Sequence, residues 1–251
     1  MIKTSNQDMT GKDFDKKETD LCTRWKNSYS KEEQKKFCFD GLIYYRDPNC
    51  KDEYAEVMKW EHAKRKVLFL LKDTNDNPDC DYRESVFYDT DERPLYKMNV
   101  VLLKWLWALN EVTASHLPVF NKTREDYIQS AQRYPMAIVN IKKVSGNPSI
   151  YNAAIREYYE RDKSFLKEQL REILKPTMIV CGGGSNTLLE IAKKIYEDMD
   201  FKQYNDWCYY CKNSKLLLIN SYHPSSRLSN ELKFDGMIEN VQDMLKKIKT
   251  A

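Results

Sequence analysis

The sequence predicts an α/β protein of three layers, with a four-stranded parallel sheet between helices. Two observations predict it. Four short apolar runs follow one another along the chain: Val-Leu-Phe-Leu-Leu at 67–71, Met-Ala-Ile-Val at 136–139, Met-Ile-Val-Cys at 178–181 and Leu-Leu-Leu-Ile at 216–219. Each has the length of a strand buried on both faces. Stretches of helical periodicity separate or follow them, at 95–110, 124–133, 150–174, 186–198 and 230–248. Strands that alternate with helices pair in parallel, because only a crossover connection brings the chain back to the same end.

Upstream of the first run the pattern is helical from 20 to 64. Leu21, Trp25 and Tyr29, and then Tyr54, Val57, Met58 and His62, recur at three-to-four spacing. Arg46-Asp47-Pro48-Asn49 reads as a turn between them. The polar first twenty residues are expected to start loosely ordered. The expected plan is one domain over 1–251, in which 1–65 is an N-terminal helical extension packing on the rest.

Composition sets bounds without naming a function. Lys and Arg number 41 against 38 Asp and Glu, a net charge of +3, too balanced to indicate nucleic acid by itself. No stretch approaches the ~18 consecutive apolar residues that a membrane span needs, and the N-terminus lacks the apolar core of an export signal. A cytoplasmic monomer with no membrane partner is expected. The seven cysteines are scattered and odd in number, so reduced thiols are the default. Cys208-Tyr-Tyr-Cys211 is the one tight pair, a weak metal signal; on a strand, residues three apart face opposite ways. No metal and no cofactor is expected.

Open parallel sheets take ligands beyond the carboxyl ends of their strands. The residues there are Lys72-Asp73-Thr74-Asn75, Asn140-Ile141-Lys142-Lys143, Gly182-Gly183-Gly184-Ser185-Asn186 and Asn220-Ser221-Tyr222-His223-Pro224-Ser225-Ser226. Taken singly, each has a bland explanation. Asp73 can cap a turn, Asn140 can satisfy a loop, and His223 can be a core histidine. The glycine run can be a tight turn or a cradle of amides for a phosphate.

Together, and in this order, the four segments resemble the motifs of the uracil-DNA glycosylase superfamily. Asp73 matches the first-strand motif, Ala-Ile-Val-Asn140 the strand ending in Asn, Gly184-Ser185 the Gly-Ser turn, and His223-Pro224-Ser225 the leaving-base loop. The resemblance runs from about Lys66 to Ala251 and is to the branch without an iron–sulfur cluster. Cys38, Cys50 and Cys80 flank the first motif, but the close cysteine pair lies far downstream.

The resemblance implies a DNA partner and a set of roles. Asp73 would orient a water and stabilise the sugar cation, while His223 would donate to the departing base. Asn140 would read the base edge with its amide. Phe87 would stack under the flipped base, with Tyr88 and Tyr82 behind it. Gly184, Ser185 and Ser225 would hold backbone phosphates, and Arg227 or Leu228 would fill the gap left in the duplex.

The first motif departs from the family pattern at Lys72 for Gln, Thr74 for Pro and Asn75 for Tyr. That Tyr crowds the pyrimidine C5 position in the uracil-specific branch. Its replacement opens the gate, and Asn75 or Lys72 can hydrogen-bond a C5 substituent. The expected activity is therefore monofunctional excision of a 5-substituted pyrimidine, as in relatives that act on modified phage bases in bacterial defence. Alternatives are a uracil-DNA glycosylase proper, a non-catalytic relative that binds modified bases, and a nucleotide- or sugar-phosphate-binding protein built on the glycine turn. The last lacks a complete dinucleotide fingerprint after its first strand.

Overall fold

A computed structural model describes residues 11–44, 54–74, 80–83, 97–120, 123–146 and 151–250. The predicted apolar runs are strands β2 (Val67–Asp73), β3 (Met136–Lys142), β4 (Met178–Gly182) and β7 (Leu216–Ser221). Three further strands join them: β1 (Gly41–Leu42), β5 (Lys202–Gln203) and β6 (Cys208–Cys211). The seven form one mixed sheet in the order β1-β3-β2-β4-β7-β6-β5. β2 pairs in parallel with β3 and with β4, and β4 pairs in parallel with β7. The edge strands run antiparallel to their neighbours.

The expected sheet of four parallel strands is thus corrected to a mixed sheet of seven among the described residues. The added strands escape a reading by apolar run because two are only two residues long, and the third, Cys-Tyr-Tyr-Cys, has two half-buried tyrosines between its buried cysteines.

Alternation sends successive residues of each central strand into two cores. Leu68, Leu70, Val139, Ile179 and Leu218 pack on one face with α1 (Gly11–Asn27), α3 (Ala55–His62), α6 (Asn152–Lys167) and α7 (Thr187–Ile195). Val67, Phe69, Leu71, Ile138, Val180 and Ile219 pack on the other with α4 (Lys97–Glu111), α5 (Arg124–Arg133) and α8 (Asn230–Lys249). The short helix α2 (Lys31–Gln34) is fixed by a capping box between Ser30 and Glu33.

The N-terminal reading also needs correcting. α1 starts at Gly11 rather than near Asp20, and Phe14, Leu21 and Trp25 are buried. The stretch after it contains strand β1 in the sheet itself, so 20–64 is not helical throughout. The turn expected at 46–49 lies outside the described residues. The helix expected at 150–174 divides into α6 and a π-helical segment, Glu168–Leu174, closed by Lys175 in the left-handed conformation at φ 46°. Among the described residues no helix is long and apolar enough to cross a membrane.

Candidate active site

β2 lies inside the sheet with β3 on one side and β4 on the other. The chain leaves β2 through α4 and α5 on one face to reach β3, then returns through α6 on the opposite face to reach β4. Connections therefore diverge at the carboxyl end of β2, the topological switch point where such sheets open a crevice. Asp73 is the last residue of β2, and it is half-buried.

Register sets the neighbours. Asp73 is level with Lys142 and Leu71 with Asn140 on the β2–β3 ladder. By alternation Asp73 follows Val67, Phe69 and Leu71, and Asn140 follows Met136 and Ile138. Both positions belong to the face covered by α4 and α8. On the other side of β2, Gly182 is level with Ser221, the last residue of β7, and His223 follows two residues later.

The His223 loop is held from within. The Ser225 N–H donates to His223 Nδ1 at 3.1 Å, so the neutral ring carries its proton on Nε2. Burial pushes the imidazole pKa down to about 4, and the positive charges of Lys72 and Lys233 push the same way. The Ser226 N–H donates to the His223 carbonyl at 2.9 Å. Lys233 of α8, almost fully buried, donates to the carbonyls of Pro224 at 2.6 Å and Ser226 at 3.2 Å. The His-Pro-Ser loop is therefore pinned by a lysine that sequence reading missed. A lysine one residue before the buried Phe234 was the available signal.

The glycine run is used chiefly as a turn. A Cβ on Gly182 would come within 2.9 Å of Leu71 Cδ2, and Gly184 has φ +66°. The Gly183 N–H donates to the Cys181 carbonyl and the Gly184 N–H to the Ser221 carbonyl, at 2.9 and 3.1 Å. These two amides are satisfied inside the protein. The Asn220 amide donates to Asn186 Oδ1 at 2.9 Å and ties the turn to β7. Ser185 Oγ accepts from the Thr187 N–H at 3.5 Å, at the start of α7. Of the expected phosphate contacts, the hydroxyls of Ser185 and Ser225 each carry a proton to donate.

Asn140 is set by a buried network that the motifs did not reveal. A single oxygen of Asp40 accepts the Asn140 backbone N–H at 2.8 Å and its side-chain amide at 3.1 Å. The other Asp40 oxygen binds the ammonium of Lys143. Gln169, in the π-helical segment, donates to the Asp40 carbonyl at 2.8 Å. Asp40, Lys143 and Gln169 are all buried, and Lys143 lies 4.6 Å from the Trp25 ring centre. A carboxylate can only accept, so the Asn140 NH2 must face Asp40 and Oδ1 faces away. Oδ1 is buried without a hydrogen-bond partner among the described residues.

Beside this network, Cys38 and Cys80 bring their sulfurs to 3.0 Å. The Phe39 N–H donates to the Cys80 carbonyl and the Tyr82 N–H to the Phe39 carbonyl, which lays the chain after the first motif against the N-terminal segment. The Tyr82 hydroxyl donates to the Thr74 carbonyl at 2.6 Å. Arg227 and Leu228 are exposed between the His223 loop and α8. Phe87, Tyr88 and Asn75, the expected stacking rings and gate, lie outside the described residues.

Comparison of the chain with protein-family models and with curated proteins finds no match.

Proposed function

We propose that the chain is a DNA N-glycosylase of the uracil-DNA glycosylase superfamily, which hydrolyses the glycosidic bond of a flipped-out, 5-substituted pyrimidine and leaves an abasic site. On this reading the four parallel strands are the family's core, in three layers with the helices. The observation that carries the proposal is the His223 imidazole, neutral, with its proton on Nε2, at the mouth that also holds Asp73 and Asn140.

Breaking the bond leaves positive charge on the sugar and negative charge on the base. A neutral Nε2–H donor at His223 stabilises the developing base anion without protonating it. The Asp73 carboxylate faces the opposite need: it stabilises the cationic sugar and orients the water that adds to C1′. Asn140 Oδ1, turned away from Asp40, is suited to accept from the N3–H of a pyrimidine, and its second amide hydrogen to donate to O4. The open C5 gate rests on the residue types at Thr74 and Asn75.

The test is incubation of duplexes carrying uracil, mismatched thymine, 5-hydroxymethylpyrimidine or glucosylated pyrimidine, followed by alkali and a search for strand breaks. Breaks with a 5-substituted base that disappear in Asp73→Asn and His223→Ala are expected. Excision of uracil alone would sink the open gate. Tight binding without abasic sites would favour a sensor of modified bases over an enzyme.

A further inference from the structure

β3 ends on Lys142, Lys143 follows it, and the two lysines are treated differently. Lys143 has its counter-ion in Asp40. Lys142 is 7% exposed, and among the described residues its ammonium has no hydrogen-bond or ion-pair partner. Its Nζ lies 5.7 Å from the centre of the Tyr158 ring. An ammonium carried on a buried side chain, with no acceptor of its own, favours an anion or water beside it.

Lys142 lines a cavity of about 350 Å3, a size within the range of small-ligand sites. Lys36, Ser145, Tyr158, Glu32 and Glu33 share the lining. The two carboxylates are already engaged: Glu32 binds Lys35 at 2.8 Å, and Glu33 binds Arg161 at 3.1 Å and the Ser30 hydroxyl at 2.8 Å. The cations Lys36 and Lys142 are left to set the sign of the cavity. Lys142 is level with Asp73 on adjacent strands, about 4.8 Å apart, so one residue of the lining stands beside the end of β2.

We propose that this cavity is an anion subsite, which takes a backbone phosphate of the DNA strand presented to Asp73, with Lys142 as its buried ligand and Lys36 beside it. The proposal rests on the glycosylase reading for its choice of DNA over a free phosphate. Either source would present the same tetrahedral oxyanion to a lysine.

The test compares Lys142→Gln and Lys142→Arg with the unaltered chain and with Lys246→Gln, an exposed lysine far along α8. Affinity for an oligonucleotide with an abasic-site analogue is followed by fluorescence anisotropy over a salt series. Loss of one phosphate contact should make the slope of log K against log salt shallower by about 0.7–0.9 in Lys142→Gln. Lys142→Arg should keep the steeper slope, as should Lys246→Gln. An unchanged slope in a folded Lys142→Gln overturns the strand assignment. Lys36→Gln, an exposed position, gives a second reading if Lys142→Gln unfolds, and its slope should also become shallower.

Inorganic phosphate and thymidine monophosphate form the other arm, read by thermal shift. Stabilisation of the unaltered chain but not of Lys142→Gln, with no change in the DNA slope, would make the cavity a free-phosphate site and overturn the strand assignment. If no variant binds DNA, the glycosylase reading fails first. Absence of a phosphate shift then overturns the anion subsite as well.

Discussion

One oxygen of Asp40 accepts both the backbone N–H and the side-chain amide of Asn140, at 2.8 and 3.1 Å, while the other holds Lys143. The candidate base reader is thus oriented by a carboxylate a hundred residues upstream, buried with its own counter-ion. Removing one member of a buried ion pair leaves the other charge unpaired, which costs about 3–5 kcal/mol. Asp40→Asn and Lys143→Met should each lower stability on that scale in urea unfolding. The double variant should cost less than the sum of the two by about 1–3 kcal/mol. Additive losses would mean that the pair is not coupled.

His223 should stay neutral well below the usual histidine range. Burial is the first cause, and the cations Lys72 and Lys233 add to it. Nitrogen-15 spectra of the imidazole at pH 6 should show a protonated Nε2 and an unprotonated Nδ1, with titration near 4. Lys233→Met should raise that pKa by removing one nearby cation, and should loosen the loop whose carbonyls Lys233 binds. A ring that titrates near 6.5 would remove the electrostatic case for a neutral donor.

The central strands were legible because each is a continuous apolar run, and the mouth was legible because chemistry-bearing residues stand just after those runs. Asp73, Asn140 and His223 could be picked out in this way. Asp40 could not. It precedes a two-residue strand with no periodicity of its own, and its role appears only when β1 pairs with β3. Lys143 and Gln169 share that fate: polar residues in a buried network look in one dimension like solvated ones. The glycine run misled in the other direction, since Gly183 and Gly184 use their amides on Cys181 and Ser221. Composition can suggest a cradle, but only the backbone path shows whether the N–H groups are already taken.

Two buried groups should pull the pH dependence of stability in opposite directions. Glu18, fully buried, accepts from the Leu42 N–H at 2.9 Å and faces Arg83 at 3.5 Å. Burial outweighs both and pushes its pKa from 4.5 up to about 7. The folded state therefore holds this proton more tightly than the unfolded chain, and the stability so gained is lost as pH rises from 4.5 through 7. His223 works the other way. Its folded pKa is depressed from 6.5, so its contribution is full above 6.5 and lost as pH falls from there towards 4. Between 4.5 and 6.5 the two slopes oppose. Urea midpoints should rise with pH across that window in Glu18→Gln and fall with pH in His223→Gln. Parallel slopes in the two variants would show that one of these assignments is wrong.

The Cys38–Cys80 contact should give one thiol an unusual acidity. With the sulfurs 3.0 Å apart, a hydrogen bond from the Cys80 thiol stabilises the Cys38 thiolate. Burial opposes this, yet the Cys38 pKa is pushed down from 9 to about 7. Cys80 moves the opposite way, because it must keep the proton that the pair shares. Of the other buried thiols, Cys22, Cys181 and Cys208 are pushed up to about 12 by burial and stay silent near neutrality, whereas in Cys211 burial is outweighed by hydrogen bonds from Ser214 and backbone amides, which lower it. Thiolate absorbance, taken as the difference between the unaltered chain and Cys38→Ala, should therefore titrate near pH 7. Cys80→Ala removes the largest stabiliser of the thiolate and leaves the burial, so the Cys38 midpoint should climb from about 7 towards the ordinary thiol value of 9. Cys80→Ser keeps a donor and should move it much less. A midpoint that stays near 7 in Cys80→Ala would show that the acidity comes from another group near the end of β2.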